Sequence, residues 1–222
     1  MKVMDPNERK KLWGQLDDAA RKLGVMTLPR LHIGMLVEKD GIVLTNQREE
    51  GHSWLRNGWN VFFAVMSGCR GNGSGSLGAG NMNCRTSYSL VSSIYGGVEY
   101  CKAPTIYTGT SDTAFSVDQY QLVAVIGDGN GAGQLAHQSV SYQLAYDATE
   151  WTHTISRIFN NNSGDTIIIK EIGLSYSVNV FESGGVTAYL ARDVLGSPVA
   201  VANGAQLTVT YEISMDFSSI DT

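Results

Sequence analysis

Leu207-Thr208-Val209-Thr210-Tyr211-Glu212-Ile213-Ser214-Met215-Asp216-Phe217 alternates apolar and polar side chains without a fault. Side chains of an extended chain point to opposite faces in turn, so this stretch is a strand with one buried and one wetted face. Working back from it, similar segments are bounded by Gly, Asn, Asp or Ser at Val199 to Ala202, Thr187 to Ala191, Asp165 to Leu174, Trp151 to Phe159, Ser139 to Tyr146, Tyr120 to Ile126 and Thr86 to Tyr95. Several short strands at such spacing predict a mainly β fold, an antiparallel β-sandwich or jelly roll. Ile167-Ile168-Ile169 departs from alternation, which predicts a strand covered on both faces, inside the sandwich or by a neighbouring subunit.

The N-terminal part reads differently and predicts a short helical region ahead of the β domain. Asp5-Pro6 with Glu8 forms a helix start, and Leu12, Trp13, Leu16, Ala20 and Leu23 recur at helical spacing before Gly24. Leu36-Val37 and Ile42-Val43-Leu44 flank Lys39-Asp40-Gly41, a hairpin signal. Ser53, followed by Trp54, Leu55, Trp59, Phe62, Phe63 and Met66, predicts a second helix over residues 51–68, and its aromatics read as core packing before a sugar platform. The stretch from Gly68 to Gly80 is too rich in glycine for regular structure. The expected organisation is therefore a helical arm or subdomain over residues 1–68, a glycine-rich loop over 69–85 and a β-sandwich over 86–222.

The 222 residues, 43% hydrophobic and 17% charged with 25 glycines and ten tyrosines, suit strands and turns better than surface helices. Sixteen basic and 21 acidic residues, a net charge of −5 without basic clusters, argue against a sequence-specific nucleic-acid partner. No apolar run approaches a membrane span and the N-terminus has no signal-peptide core, so the expectation is a soluble protein made in a cytoplasm, with no membrane partner.

Chemistry finds little purchase. Cys69, Cys84 and Cys101 match neither a disulfide framework nor a zinc set. His32, His52, His137 and His153 lack metal-ligand spacing. Gly127 to Gly133 lacks the Lys and Ser/Thr of a phosphate loop and the later ligands of a calcium loop, so it reads as a hairpin loop. Asn72-Gly-Ser and Asn161-Asn-Ser read as turns. Asp112, Asp118 and Asp147 are isolated acids; Arg192-Asp193 and Arg157 with Glu171 are candidate structural ion pairs. The expectation is a protein that is not an enzyme and needs no cofactor or metal.

Five stretches carry a resemblance. Ile155 to Leu174 with its Asn-rich turn and Glu171-Ile-Gly-Leu174, then Leu190 to Leu195, and Ser197 to Val201 ahead of Leu207 to Tyr211, resemble a β module that recurs in structural proteins of tailed bacteriophages. His52 to Asn60 resembles the N-terminal part of such proteins. The resemblance implies assembly and carries over no catalytic residue. It implies a virion subunit, a homo-oligomeric ring of the neck, collar or tail, whose partners are copies of itself and other phage virion proteins. Capsid decoration, fibre attachment, a receptor- or carbohydrate-binding module, and a hydrolase whose acids meet in the fold are the alternatives. Leu12, Trp13, Leu16 and Leu23 are the candidate assembly contacts, because a lone helix of this length must cover its apolar stripe.

Overall fold

An alternating strand such as Leu207 to Asp216 can satisfy its backbone hydrogen bonds only with neighbours on both sides, and the computed structural model supplies them. It describes residues 15, 30–51, 54–55, 101–116, 119, 121–147, 149–180 and 184–216. Among these are eight strands: β1 (Arg30–Lys39), β2 (Ile42–Gly51), β3 (Cys101–Gly109), β4 (Ala136–Tyr146), β5 (Glu150–Asn160), β6 (Ile167–Val180), β7 (Gly184–Val201) and β8 (Gln206–Asp216). They form two antiparallel sheets, one in the order β2-β1-β8-β5-β4 and one in the order β3-β6-β7.

β8 lies at the centre of the larger sheet. Leu207, Val209 and Tyr211 are completely buried and Ile213 packs against the same core. The alternation relaxes at the end of the strand, where Met215 is half-buried and Ser214, from the opposite face, is buried. Beside it, β1 turns Leu31, Ile33, Met35 and Val37 inward. The smaller sheet contributes Ile106, Ile169, Ile172, Leu174, Val199 and Val201 to that same buried cluster.

The Asp40-Gly41 turn has the predicted hairpin chemistry, with φ of 52° and 77°, the two left-handed residues of a tight hairpin loop. Residues 30–51, within the stretch expected to be a helical arm, are thus two strands of the main sheet. Gly34 places no side chain between Arg48 and Thr210, which kept β1 from reading as one strand. The expected second helix also starts otherwise than predicted: Gly51 ends β2, Trp54 bridges to Ala191 and the Leu55 amide donates to the Leu190 carbonyl at 2.9 Å. Pairing to β7 outcompetes helical propensity there. The stripe of Leu12, Trp13, Leu16 and Leu23, the rest of the second helix, the glycine-rich loop and the strand expected from Thr86 lie outside the described residues.

Other boundaries shift for identifiable reasons. β7 joins two expected strands by running through Gly196-Ser197-Pro198, where its register with β6 slips opposite Lys170. Proline fits such a bulge because no ladder hydrogen bond is asked of it. β3 contains Pro104 at a similar register shift, so it did not read as a strand. Ile168 is 40% exposed while Ile167 and Ile169 are buried, so the isoleucine run alternates after all.

The sheets are also tied along their margins. Near β2 and β7, the Gly196 amide donates to Glu49 and Gln47 donates to the Ser197 carbonyl, at 3.1 and 3.0 Å. Near β3 and β5, Arg157 donates to the Ile106 carbonyl at 2.8 Å and to Thr105 Oγ1 at 3.1 Å. At the β5–β6 turn, Asn161 is completely buried and donates to the Val201 and Asp165 carbonyls, consistent with the turn reading of that triplet.

Candidate functional site

Among the described residues a sheet of five strands lies opposite one of three, and part of its inner face is exposed. Ile155 of β5 is buried in the core, and Tyr142 of β4 stands directly opposite it, hence on the same face. Tyr142 is 44% exposed, Leu144 64% and Tyr146 74%, so exposure rises along β4. Cover ends at β3, where the Tyr142 hydroxyl donates to the Pro104 carbonyl at 2.6 Å. Beyond this point Leu144 faces His153 and Tyr146 faces Trp151. Tyr142 and Trp151 lie tilted against His153, with ring centroids 6.4 and 6.2 Å apart. The result is an aromatic and aliphatic ledge whose side chains continue the core pattern into solvent. At the other margin, Ile42, Val43 and Leu44 of β2 are also exposed, next to the hairpin turn.

Where the core meets the ledge, Arg157 packs between Tyr107 and Phe159, its guanidinium 5.4 Å from each ring centroid, and donates to the Gln138 carbonyl at 3.0 Å. His137 lies edge-on to Phe159 at 5.0 Å, and its Nε2 is buried without a hydrogen-bond partner. Its backbone amide donates to Asp128 Oδ1 at 2.8 Å.

Burial holds the His137 pKa below its ordinary 6.5, the Arg157 charge lowers it further, and Asp128 opposes both. Burial also lowers His153. The unfolded chain takes up these protons near the ordinary value and the folded chain resists them. Stability is therefore fully present above pH about 6.5 and declines as pH falls towards the folded values. The unfolding midpoint should drop between pH about 7 and 5, and His137→Gln should make that drop shallower. An unchanged slope in the variant would remove His137 as a cause.

The three-stranded sheet has a second feature on its outer face. Glu171 and Arg192, both completely buried, pair through Arg192 Nε and Glu171 Oε2 at 2.7 Å. Arg192 also donates to Gln119 Oε1 and to the Thr113 carbonyl, at 2.8 and 2.9 Å. Glu171 accepts from the amides of Ala124 and Val123, at 2.7 and 3.2 Å. This network holds the connection after β3 against the sheet. The carboxylate thereby serves the amides that a strand partner would otherwise take, and residues 121–126 form an isolated bridge to Gly109 where a strand was expected. A Cβ on Gly109 would collide with the carboxylate.

The predicted ion pairs are rearranged. Glu171 pairs with Arg192 and not with Arg157, because Glu171 lies on the outer face of its sheet and Arg157 on the inner face of the other, while Asp193 accepts from the buried Tyr211 hydroxyl at 3.2 Å. Asp112 pairs with Lys170 at 2.9 Å, and Asp147 accepts from the Thr149 and Glu150 amides of the β4–β5 turn. These acids do not meet, and Asp118 lies outside the described residues. His32 lies 3.9 Å from Glu212 on the outer face of the larger sheet. The Gly127 to Gly133 loop folds over the Gln134 side chain, which accepts from the Gly131 amide at 3.0 Å. Among the described residues no group of His, Cys, Asp and Glu is placed to hold a metal ion, and no helix is long and apolar enough to cross a membrane. An open polar cleft of about 380 Å³ lies beside the hairpin turn, lined by Glu38, Lys39 and Gln206 among others.

The ledge was not legible in the sequence, since Tyr142, Leu144 and Tyr146 alternate with polar residues as any core strand does. Compared with family models, curated proteins and solved structures, the chain matches none.

Proposed function

We propose that this protein is a non-enzymatic structural subunit of a tailed-phage particle, a β-sandwich that assembles as a homo-oligomeric ring in the neck, collar or tail and contacts neighbouring virion proteins. The observation that carries the reading is the ledge of Tyr142, Leu144 and Tyr146, large apolar side chains exposed along one strand. Contiguous exposed apolar surface marks contact with another macromolecule. The resemblance of Ile155 to Leu174 and of the strands after it to phage structural modules supplies the setting.

A receptor- or carbohydrate-binding module is the second reading, favoured by the rings of Tyr142, His153 and Trp151 gathered at one edge. Mass spectrometry of purified particles, followed by location of the subunit in an image reconstruction, separates the two. The first reading expects the protein in multiple symmetry-related copies within the particle body. Absence from intact particles would sink it, and a position confined to fibre tips would favour the second.

A further inference from the structure

An edge strand offers unpaired backbone groups, and natural sheets blunt such edges with charge, proline or bulges. Among the described residues, three of the four sheet margins are protected in this way. β2 carries Arg48, Glu49 and Glu50 in its second half, β3 contains Pro104, and β7 contains Pro198 in a bulge. On β4 the uncharged run coincides with the exposed aromatic ledge. From Val140 to Tyr146 it reads VSYQLAY, with neither charge nor proline, and its irregularity is confined to the stretch between His137 and Val140. Among the described residues it pairs with β5 alone.

We infer that β4 pairs antiparallel with β4 of a second copy of this chain, across a two-fold axis at Gln143. The inference deepens the assembly reading and rests on it. A net charge of −5 makes two copies repel at most surfaces, and this uncharged strand is where they can approach. The strand is also complementary to itself. Centred on Gln143, the pairing sets Val140 opposite Tyr146 and Tyr142 opposite Leu144, on the inner face of both copies. Ser141 then meets Ala145, and Gln143 meets its own copy, on the outer face. Two ledges thus merge into one apolar floor. Pairing β4 with the second half of β2 of another copy would instead set this strand against Arg48, Glu49 and Glu50, and the first half of β2 offers Thr45, Asn46 and Gln47 with no aromatic ring to match the ledge. The contact is isologous and closes a dimer, leaving other surfaces to build a larger assembly.

Sedimentation velocity on the full chain, with hydrogen exchange, tests the contact. The wild type should sediment as a dimer or a multiple of one, with β4 amides protected in a concentration-dependent way. Leu144→Lys should raise the dissociation constant about tenfold or more, since it places charge in the apolar floor. Gln143→Cys needs no disruption of folding. Directly opposed antiparallel residues stand about 4.5–5.5 Å apart, within disulfide reach, so this variant should form a covalent dimer on mild oxidation. Ser141→Cys, which faces Ala145, should not exceed the wild-type level, the baseline for Cys69, Cys84 and Cys101. Equal assembly of Leu144→Lys and wild type, no cross-linking of the Gln143→Cys variant above that baseline, or β4 amides fully protected in a monomer would each overturn the inference. If these fail while the protein is found in particles, the pairing falls and the assembly reading stands. A dimer of a protein absent from particles has the reverse meaning.

Discussion

Glu171→Ala should lower the free energy of unfolding by about 3–5 kcal/mol, read as a fall in the urea midpoint. The loss comes less from the missing attraction than from what is left behind. Arg192 is completely buried, so without Glu171 its charge stays in the interior with two remaining acceptors, Gln119 Oε1 and the Thr113 carbonyl. The amides of Val123 and Ala124 lose their acceptor as well. Glu171→Gln keeps one acceptor oxygen and removes the charge, so it should fall between wild type and alanine. Replacing the pair by apolar residues, Glu171→Leu with Arg192→Met, removes the stranded charge but not the orphaned amides. It should remain below wild type by about 1–3 kcal/mol for each such group. A loss under about 1 kcal/mol for Glu171→Ala would mean that the connection after β3 swings away and hydrates, and that the network does not hold it.

Phe159→Ala should cost about 3–5 kcal/mol through lost apolar transfer and the cavity left behind. Phe159 is completely buried and touches both His137 and Arg157, so the cavity opens where β3, β4 and β5 meet. Arg157 would keep its bonds to the Ile106 and Gln138 carbonyls, which limits collapse around the hole and keeps the cost high. Ile168→Ala is the contrasting case. Its side chain is 40% exposed, and a change within about 0.5 kcal/mol is expected from a surface position. A large loss at Ile168 in the assembled protein, absent in the monomer, would show that a neighbour covers it.

The strands whose side chains alternate were legible residue by residue. Leu207 to Tyr211 and the Asp40-Gly41 turn carry their own instructions, because a period of two and two left-handed residues are local properties of the chain. The sequence alone therefore determined the β class, the antiparallel hairpins and much of the core. It misread β1, β3 and β7, where Gly34, Pro104 and Pro198 look like breaks until a neighbouring strand shows them at a small-residue site or a bulge. What only the tertiary structure decided is which inward face is covered. Ile155 and Leu144 obey the same alternation, yet one is buried and the other exposed, because among the described residues three strands lie opposite five. The partner of Glu171 was likewise set by β6 and β7 lying side by side, a long-range pairing to which no local spacing of charges points.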